Sequence, residues 1–364
     1  MALNCGIVGL PNVGKSTLFN ALTCAQAAVA NYPFCTVDPN VGQVRVPDER
    51  LNRLCALYRP KKETPASIEV VDIAGLVAGA SQGEGLGNRF LANIREVDAI
   101  IHVVRCFDDP EIVHVNGAVD PKSDIAIIDT ELLLKDIESV DGRIARNVKK
   151  ARSGDAMARA EADLLARLKV ALDRGEPVRS VAVGPDDQPF LRDLALLTAK
   201  PVIYVANVPE EAVEKGNAFS RQVAEIAQRE ATDCLIISSK IEAEIASLPP
   251  DEAAAFLDTM GLKESGLAQL ARAAYRTLGQ ITFFTVGEDE VKAWTLSANT
   301  RAVEAAGKIH SDIQRGFIRA EIFSYADLIA HGDAQTLKAR GLLRLEGKDY
   351  LVQDGDCVYF RFNV

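Results

Sequence analysis

Apolar residues along the chain follow two periods. Short continuous runs recur at Leu3 to Val8, Asp98 to Arg105 (DAIIHVVR), Val202 to Ala206 and Cys234 to Ile237. Such runs read as strands buried on both faces, the kind that build a parallel sheet flanked by helices. Ser67 to Val71 is a further β-rich run. From Asp129 the period changes: Leu133, Ile137, Val140, Ile144, Val148 and Ala151 form one helical stripe. Residues 152–155 (Arg-Ser-Gly-Asp) break it, with Asp155 placed as an N-cap. A second helix then runs to about Arg174 with Leu165, Leu168 and Leu172 on its seam. The pair predicts an antiparallel helical hairpin of roughly twenty residues an arm, about 30 Å long. A helical run from Gly266 to Leu278 closes the sheet-forming region. Beyond Gln280, strands at 281–286, near 350–352 and at 357–362, with a helix over about 300–310, suggest a small α+β module. The expected organisation is a doubly wound α/β domain from 1–128 and 199–279, an inserted helical arm at 129–198, and a third domain at 280–364. No internal repeat or low-complexity segment interrupts it.

The first strand runs into Gly9-Leu10-Pro11-Asn12-Val13-Gly14-Lys15-Ser16-Thr17, and a helical pattern opens at Lys15. Strand, glycine loop and helix in that order make a P-loop. Backbone N–H groups from Asn12 to Thr17 would cradle phosphates at a helix N-terminus. Lys15 would reach the β- and γ-phosphates, and the Ser16 hydroxyl would ligate Mg²⁺. Further on, NYPFCTVDPN at 31–40 holds two prolines and little periodicity, so it reads as a loop where a switch I would fall. Thr36 is its Mg²⁺ candidate. Asp72-Ile73-Ala74-Gly75 ends the next strand; Asp72 would meet Mg²⁺ and the Gly75 N–H the γ-phosphate. Leu76 stands where many GTPases carry a water-orienting glutamine, and leucine cannot hydrogen-bond a water.

The base side is legible too. The strand 202–206 ends in Asn207-Val208-Pro209-Glu210, where a GTPase carries NKxD. There the aspartate accepts from guanine N1–H and the 2-amino group. With Val208 in the lysine place and the longer Glu210 as the acid, guanine loses its advantage and adenine does not. Asn207, Val208 and Glu210, with Ser238 and Ser239 after the next strand, are the base-side candidates.

Two histidines need separate readings. His102 sits inside an apolar strand and reads as a core residue. His114 lies just beyond that strand's C-terminal end, the side on which doubly wound sheets bind ligands, and is the candidate catalytic group. The net charge of −10 disfavours bulk affinity for nucleic acid. Even so, Arg143, Arg146, Lys149, Lys150 and Arg152 fall within ten residues of the hairpin tip with no acid among them. A local RNA-contacting tip is as consistent with that run as a solvated face. Seven scattered cysteines without a CxxC pair suggest reduced thiols, and no apolar stretch approaches the about 18 residues of a membrane span. With a first strand that begins at the N-terminus, leaving no room for a signal peptide, the expectation is a cytoplasmic protein.

Taken together, GLPNVGKST at 9–17, NYPFCTVDPN at 31–40, DIAGLVAGAS at 72–81, NVPE at 207–210 and IHSDIQRGFIRAE at 309–321 resemble the Obg-like ATPase family, called YchF in bacteria. The match spans essentially the whole chain. The resemblance implies a P-loop G-type domain, an inserted coiled-coil arm and a C-terminal TGS domain of ubiquitin-like β-grasp fold. It implies ATP over GTP, Mg²⁺ dependence, a hydrophobic residue (Leu76) replacing the catalytic glutamine, and association with the ribosome. It makes His114 the water-positioning group and sets Asn12 where related enzymes hold K⁺. Redox and stress labels in the family turn attention to Cys35, which also reads as a small buried thiol. The expected protein is a monomer that contacts the large subunit or its RNA through arm and TGS domain while hydrolysing ATP slowly. A GTPase on the same fold, and a nucleotide-gated binding protein with incidental turnover, are the alternatives.

Overall fold

The structure, a computed structural model, describes residues 3–27, 40–73, 86–115, 117–152 and 155–363. Thr36, Cys35, Gly75 and Leu76 lie outside the described residues, as do the side chains at 149–152. Two compact units divide the chain: Met1–Gln43 with Glu69–Leu270, and Val44–Ile68 with Ala271–Val364.

In the first unit six strands form one sheet in the order Val41–Arg45, Ser67–Asp72, Asn4–Val8, Ala99–Arg105, Val202–Asn207, Cys234–Ile237. The five from Ser67–Asp72 onward run parallel. Ala99–Arg105 and Val202–Asn207 are buried along their whole lengths, as continuous apolar runs at the middle of a two-faced sheet should be. The register matters most for function. Ile7 pairs with Asp72, Val8 with His102, Arg105 with Asn207, and Asn207 with Ile237. The P-loop, Asp72, the His114 loop, the NVPE segment and Ser238-Ser239 therefore all lie at the same end of the sheet, beyond the strands' C-termini. His102 is a core residue as expected: it is buried, packs 5.5 Å from the Tyr204 ring, and burial pushes its pKa down to about 3.

The arm belongs to this unit. Its first helix spans Pro121–Arg152, beginning eight residues before the expected Asp129. Asp120 caps it, accepting from the backbone of Lys122 and Ser123, and Pro121 takes the first helical position, where a missing N–H does no harm. At 32 residues the helix is about 48 Å long. The second, Ala156–Asp173, is capped by Asp155. Val140, Leu164, Leu165, Leu168 and Leu172 form the seam between them, whereas Val148, on the expected stripe, is partly exposed. The returning chain is fastened by Asp136. Its fully buried carboxylate accepts from the N–H groups of Leu197 and Thr198 and from the Thr198 hydroxyl, at 2.7–2.8 Å.

The second unit is a six-stranded sheet in the order Arg344–Glu346, Phe317–Ser324, Asp356–Phe362, Gln280–Thr285, Glu290–Ser297, Lys62–Thr64. Ala302, Ala305 and Ala306 of the helix Ala302–Ile309 pack onto Phe283, Leu296, Ile322 and Phe360. Residues 350–352 contribute only an isolated bridge, Arg301 to Leu351, where a strand was expected. The units also depart from the expected bounds of 1–128 and 280–364. Residues 44–68 fold with the C-terminal unit, which begins at Ala271. Lys62–Thr64 pairs in parallel with Glu290–Ser297, and Arg50 of the helix Glu49–Tyr58 bridges Asp48 and Asp354. A three-residue, highly charged edge strand has no apolar period, so nothing local announces it.

Candidate nucleotide site

The P-loop wraps around its own lysine. Lys15 is buried, its Nζ donates to the Leu10 carbonyl at 2.7 Å, and burial lowers its pKa to about 8 against the pull of Asp72. Gly14 has φ +97°, and a Cβ there would collide with the Asn207 side-chain nitrogen, so only glycine lets the loop pass. Asn207 holds three pieces together. Its Nδ2 donates to the Val13 carbonyl at 2.8 Å, its Oδ1 accepts from Ser239 N at 2.9 Å, and its own carbonyl accepts from Cys106 N. Ser16 and Thr17 open the helix Lys15–Ala27, both exposed.

The metal candidates Ser16 and Asp72 lie together. The Ser16 hydroxyl donates to Asp72 Oδ2 at 3.2 Å, while Asp72 Oδ1 is buried with no hydrogen-bond partner among the described residues. Two hard oxygen donors, one of them orphaned, fit a Mg²⁺ ion that keeps most of its waters.

A cavity of about 530 Å³ opens beside the loop. Asn12, Gly14 and Thr17 line it with Asn207, Val208, Glu210, Ser238 and Ser239, so eight of the residues expected at the nucleotide share one wall system. Ser239 Oγ is buried and lacks a partner among the described residues. Val208 is buried, its N–H bonded to the Ile237 carbonyl. Glu210 is not free: Lys240 Nζ sits 2.5 Å from its Oε1. Pro209, Glu211 and Lys240 complete that side, and the facing wall is Phe107, Asp108, Asp109 and Ile112, which sequence reasoning did not single out.

His114 follows that wall and is largely buried. Its Nε2 lies 3.0 Å from Asp124 Oδ2, in the first turn of the long arm helix. An ionised carboxylate can only accept, so Nε2–H donates to Asp124 and the contact fixes the orientation of the ring. Asn12 Nδ2 donates to the Val113 carbonyl at 3.2 Å, tying the P-loop to the residue before His114. Asp124 and Lys240 were both missed as partners. No fixed spacing links either to its mate, and only the fold joins them.

At the arm tip Arg143 is spent on acids, Glu161 at 2.6 Å and Asp193 at 2.7 Å, and Arg146 Nε bonds the Gly142 carbonyl.

A relative from Bacillus subtilis (strain 168), named Ribosome-binding ATPase YchF, is 53% identical over the full length of both chains. The chain belongs to the YchF family. An Escherichia coli O157:H7 member of the same name is 48% identical, again over the whole of both chains. The structure titled Schizosaccharomyces pombe YchF GTPase shares 38% identity, covers 99% of this chain and 98% of its own, and superposes with a TM-score of 0.90. A family model described as 50S ribosome-binding GTPase matches residues 4–153. That of a C-terminal YchF-GTPase domain, a protein of unknown function, matches 280–363. YchF members thus carry both ATPase and GTPase in their names, and the base must be argued from the pocket. Among the described residues no helix is long and apolar enough to cross a membrane.

Proposed function

We propose that this YchF protein is a ribosome-associated ATPase that binds Mg²⁺–ATP in the cavity beside Asn207 and hydrolyses it slowly, as a nucleotide-dependent switch. The observation that carries the choice of adenine is the state of the NVPE segment. Val208 offers no lysine stem, and the Glu210 carboxylate is paired with Lys240, so guanine N1–H and N2 would compete with an ammonium for their acceptor. Mg²⁺ would be held by Ser16 and Asp72 and would neutralise charge on the phosphates. A K⁺ ion at Asn12 would meet the amide Oδ1, since Nδ2 is engaged by Val113.

Competition binding tests the base. ATP should bind about ten-fold more tightly than GTP or better, about 1.4 kcal/mol. Val208→Lys with Glu210→Asp should raise GTP affinity. Equal affinities in the native protein would remove the adenine reading and leave the GTPase one.

The ribosome reading rests on the names of the relatives and on the basic arm tip. With Arg143 bound to Glu161 and Asp193, the phosphate-contacting set reduces to Arg146, Lys149, Lys150 and Arg152. Each phosphate contact releases counterions, so binding should fall steeply with salt. Changing those four to Glu should weaken co-sedimentation with ribosomes several-fold and leave ATP affinity unchanged. Equal co-sedimentation across a salt series would make the tip a solvated face. The C-terminal unit offers a second surface, and we take the protein to act as a cytoplasmic monomer.

A further inference from the structure

Arg105 ends the strand Ala99–Arg105, in register with Asn207, and is only 1% exposed. Nothing in the phosphate or base chemistry above uses it. Its guanidinium faces the loop that follows. Nε donates to the Phe107 carbonyl at 3.1 Å, and the two terminal nitrogens donate to the carbonyls of Ile112 at 3.0 Å and Asp109 at 3.3 Å. The cation also lies 4.6 Å from the centre of the Phe107 ring. Among the described residues it has no carboxylate partner. A buried cation without an anion is expensive to desolvate, and here the compensation is entirely loop backbone and one ring.

The three carbonyls span six residues, so the loop is folded around the guanidinium as around a template. Phe107, Asp109 and Ile112 are also wall residues of the nucleotide cavity. The Ile112 carbonyl held by Arg105 is next to the Val113 carbonyl held by Asn12, and His114 follows. One buried side chain thereby supports both the base-side wall and the approach to the catalytic candidate.

We propose that Arg105 is a positioning residue that sets the shape of the base pocket and the placement of His114 at once. This rests on reading the cavity as the nucleotide site. Lysine could not replace it: an ammonium on a flexible stem offers neither a planar fork to three carbonyls nor a face to the ring.

The test is Arg105→Lys in the full chain. Affinity would be read by titration with fluorescent ATP and GTP analogues, turnover by steady-state kinetics, and folding by thermal unfolding. A cooperative unfolding transition should remain, nucleotide affinity should fall about five-fold or more, and kcat should fall about ten-fold. In the double variant Arg105→Lys with His114→Ala, kcat should match that of His114→Ala alone within about two-fold, while the affinity loss persists. A general loss of stability would not produce a rate effect that vanishes with His114 beside an affinity effect that does not. Unchanged affinity and kcat in Arg105→Lys, or rate losses that multiply in the double variant, would overturn the proposal. Should Arg105→Lys not fold, Phe107→Leu, which removes the ring and keeps the cation, should shift the same two quantities in the same direction; native values would again overturn it. If the native protein binds neither nucleotide, the reading of the cavity itself falls. If His114→Ala turns over normally, the catalytic role of His114 falls, the rate half of the proposal with it, and affinity alone decides the pocket half.

Discussion

Alanine in place of Lys15 should lower Mg²⁺–ATP affinity about a hundred-fold or more, about 2.7 kcal/mol, with the fold intact. Lys15 is buried in the loop, where water screens its charge poorly, and its Nζ donates to the Leu10 carbonyl. A triphosphate would restore the counter-charge that burial withholds. Ser16→Ala should share much of the loss in the presence of Mg²⁺ and little of it in its absence, because the hydroxyl acts through the metal. Isothermal titration with and without Mg²⁺ separates the two. The lysine also sets a pH dependence. Burial lowers its pKa to about 8, so the cationic form that meets phosphate is lost as pH rises through that value. Triphosphate affinity should therefore decline above about pH 8, with proton uptake on binding. Native affinity in Lys15→Ala would mean that the phosphates lie elsewhere.

His114→Ala should reduce kcat by about a hundred-fold, the low end of what a positioned base contributes, with ATP affinity nearly unchanged. That split marks a group acting chiefly in the transition state. Asp124→Asn tests the orientation argument: an amide oxygen can still accept from the ring, so kcat should fall less than in His114→Ala. If single-turnover hydrolysis by His114→Ala runs at the native rate, the histidine is structural and the attacking water needs another partner.

Much of the candidate site is legible in the sequence, because its pieces are local. The P-loop is nine contiguous residues, NVPE is four, and each follows an apolar run that fixes its strand. What escaped is whatever the sheet assembles at a distance. Lys240 reaches Glu210 across 30 residues, and no rule of spacing foretells it. Arg105 is instructive for another reason. A charge closing an otherwise apolar strand was visible in DAIIHVVR, yet a strand-terminal arginine ordinarily reaches solvent, and only the following loop shows that this one does not. The early start of the arm helix was legible in Asp120-Pro121, a cap followed by a first-turn proline, but the apolar stripe that drew attention begins later. The charged edge strand Lys62–Thr64 had no such signal at all.

That edge strand bears on how the molecule can be taken apart. A gene fragment ending at residue 270 would still encode 44–68, an amphipathic helix and a strand deprived of the sheet that receives them. The complementary fragment from 271 would expose the backbone of Glu290–Ser297 as an open edge, available to pair with a second copy. Dissection by truncation therefore yields two damaged pieces. Cleaner halves would come from replacing 46–66 in the first fragment with a short polar linker, which leaves the strands Val41–Arg45 and Ser67–Asp72 whole, and fusing the excised segment to the second.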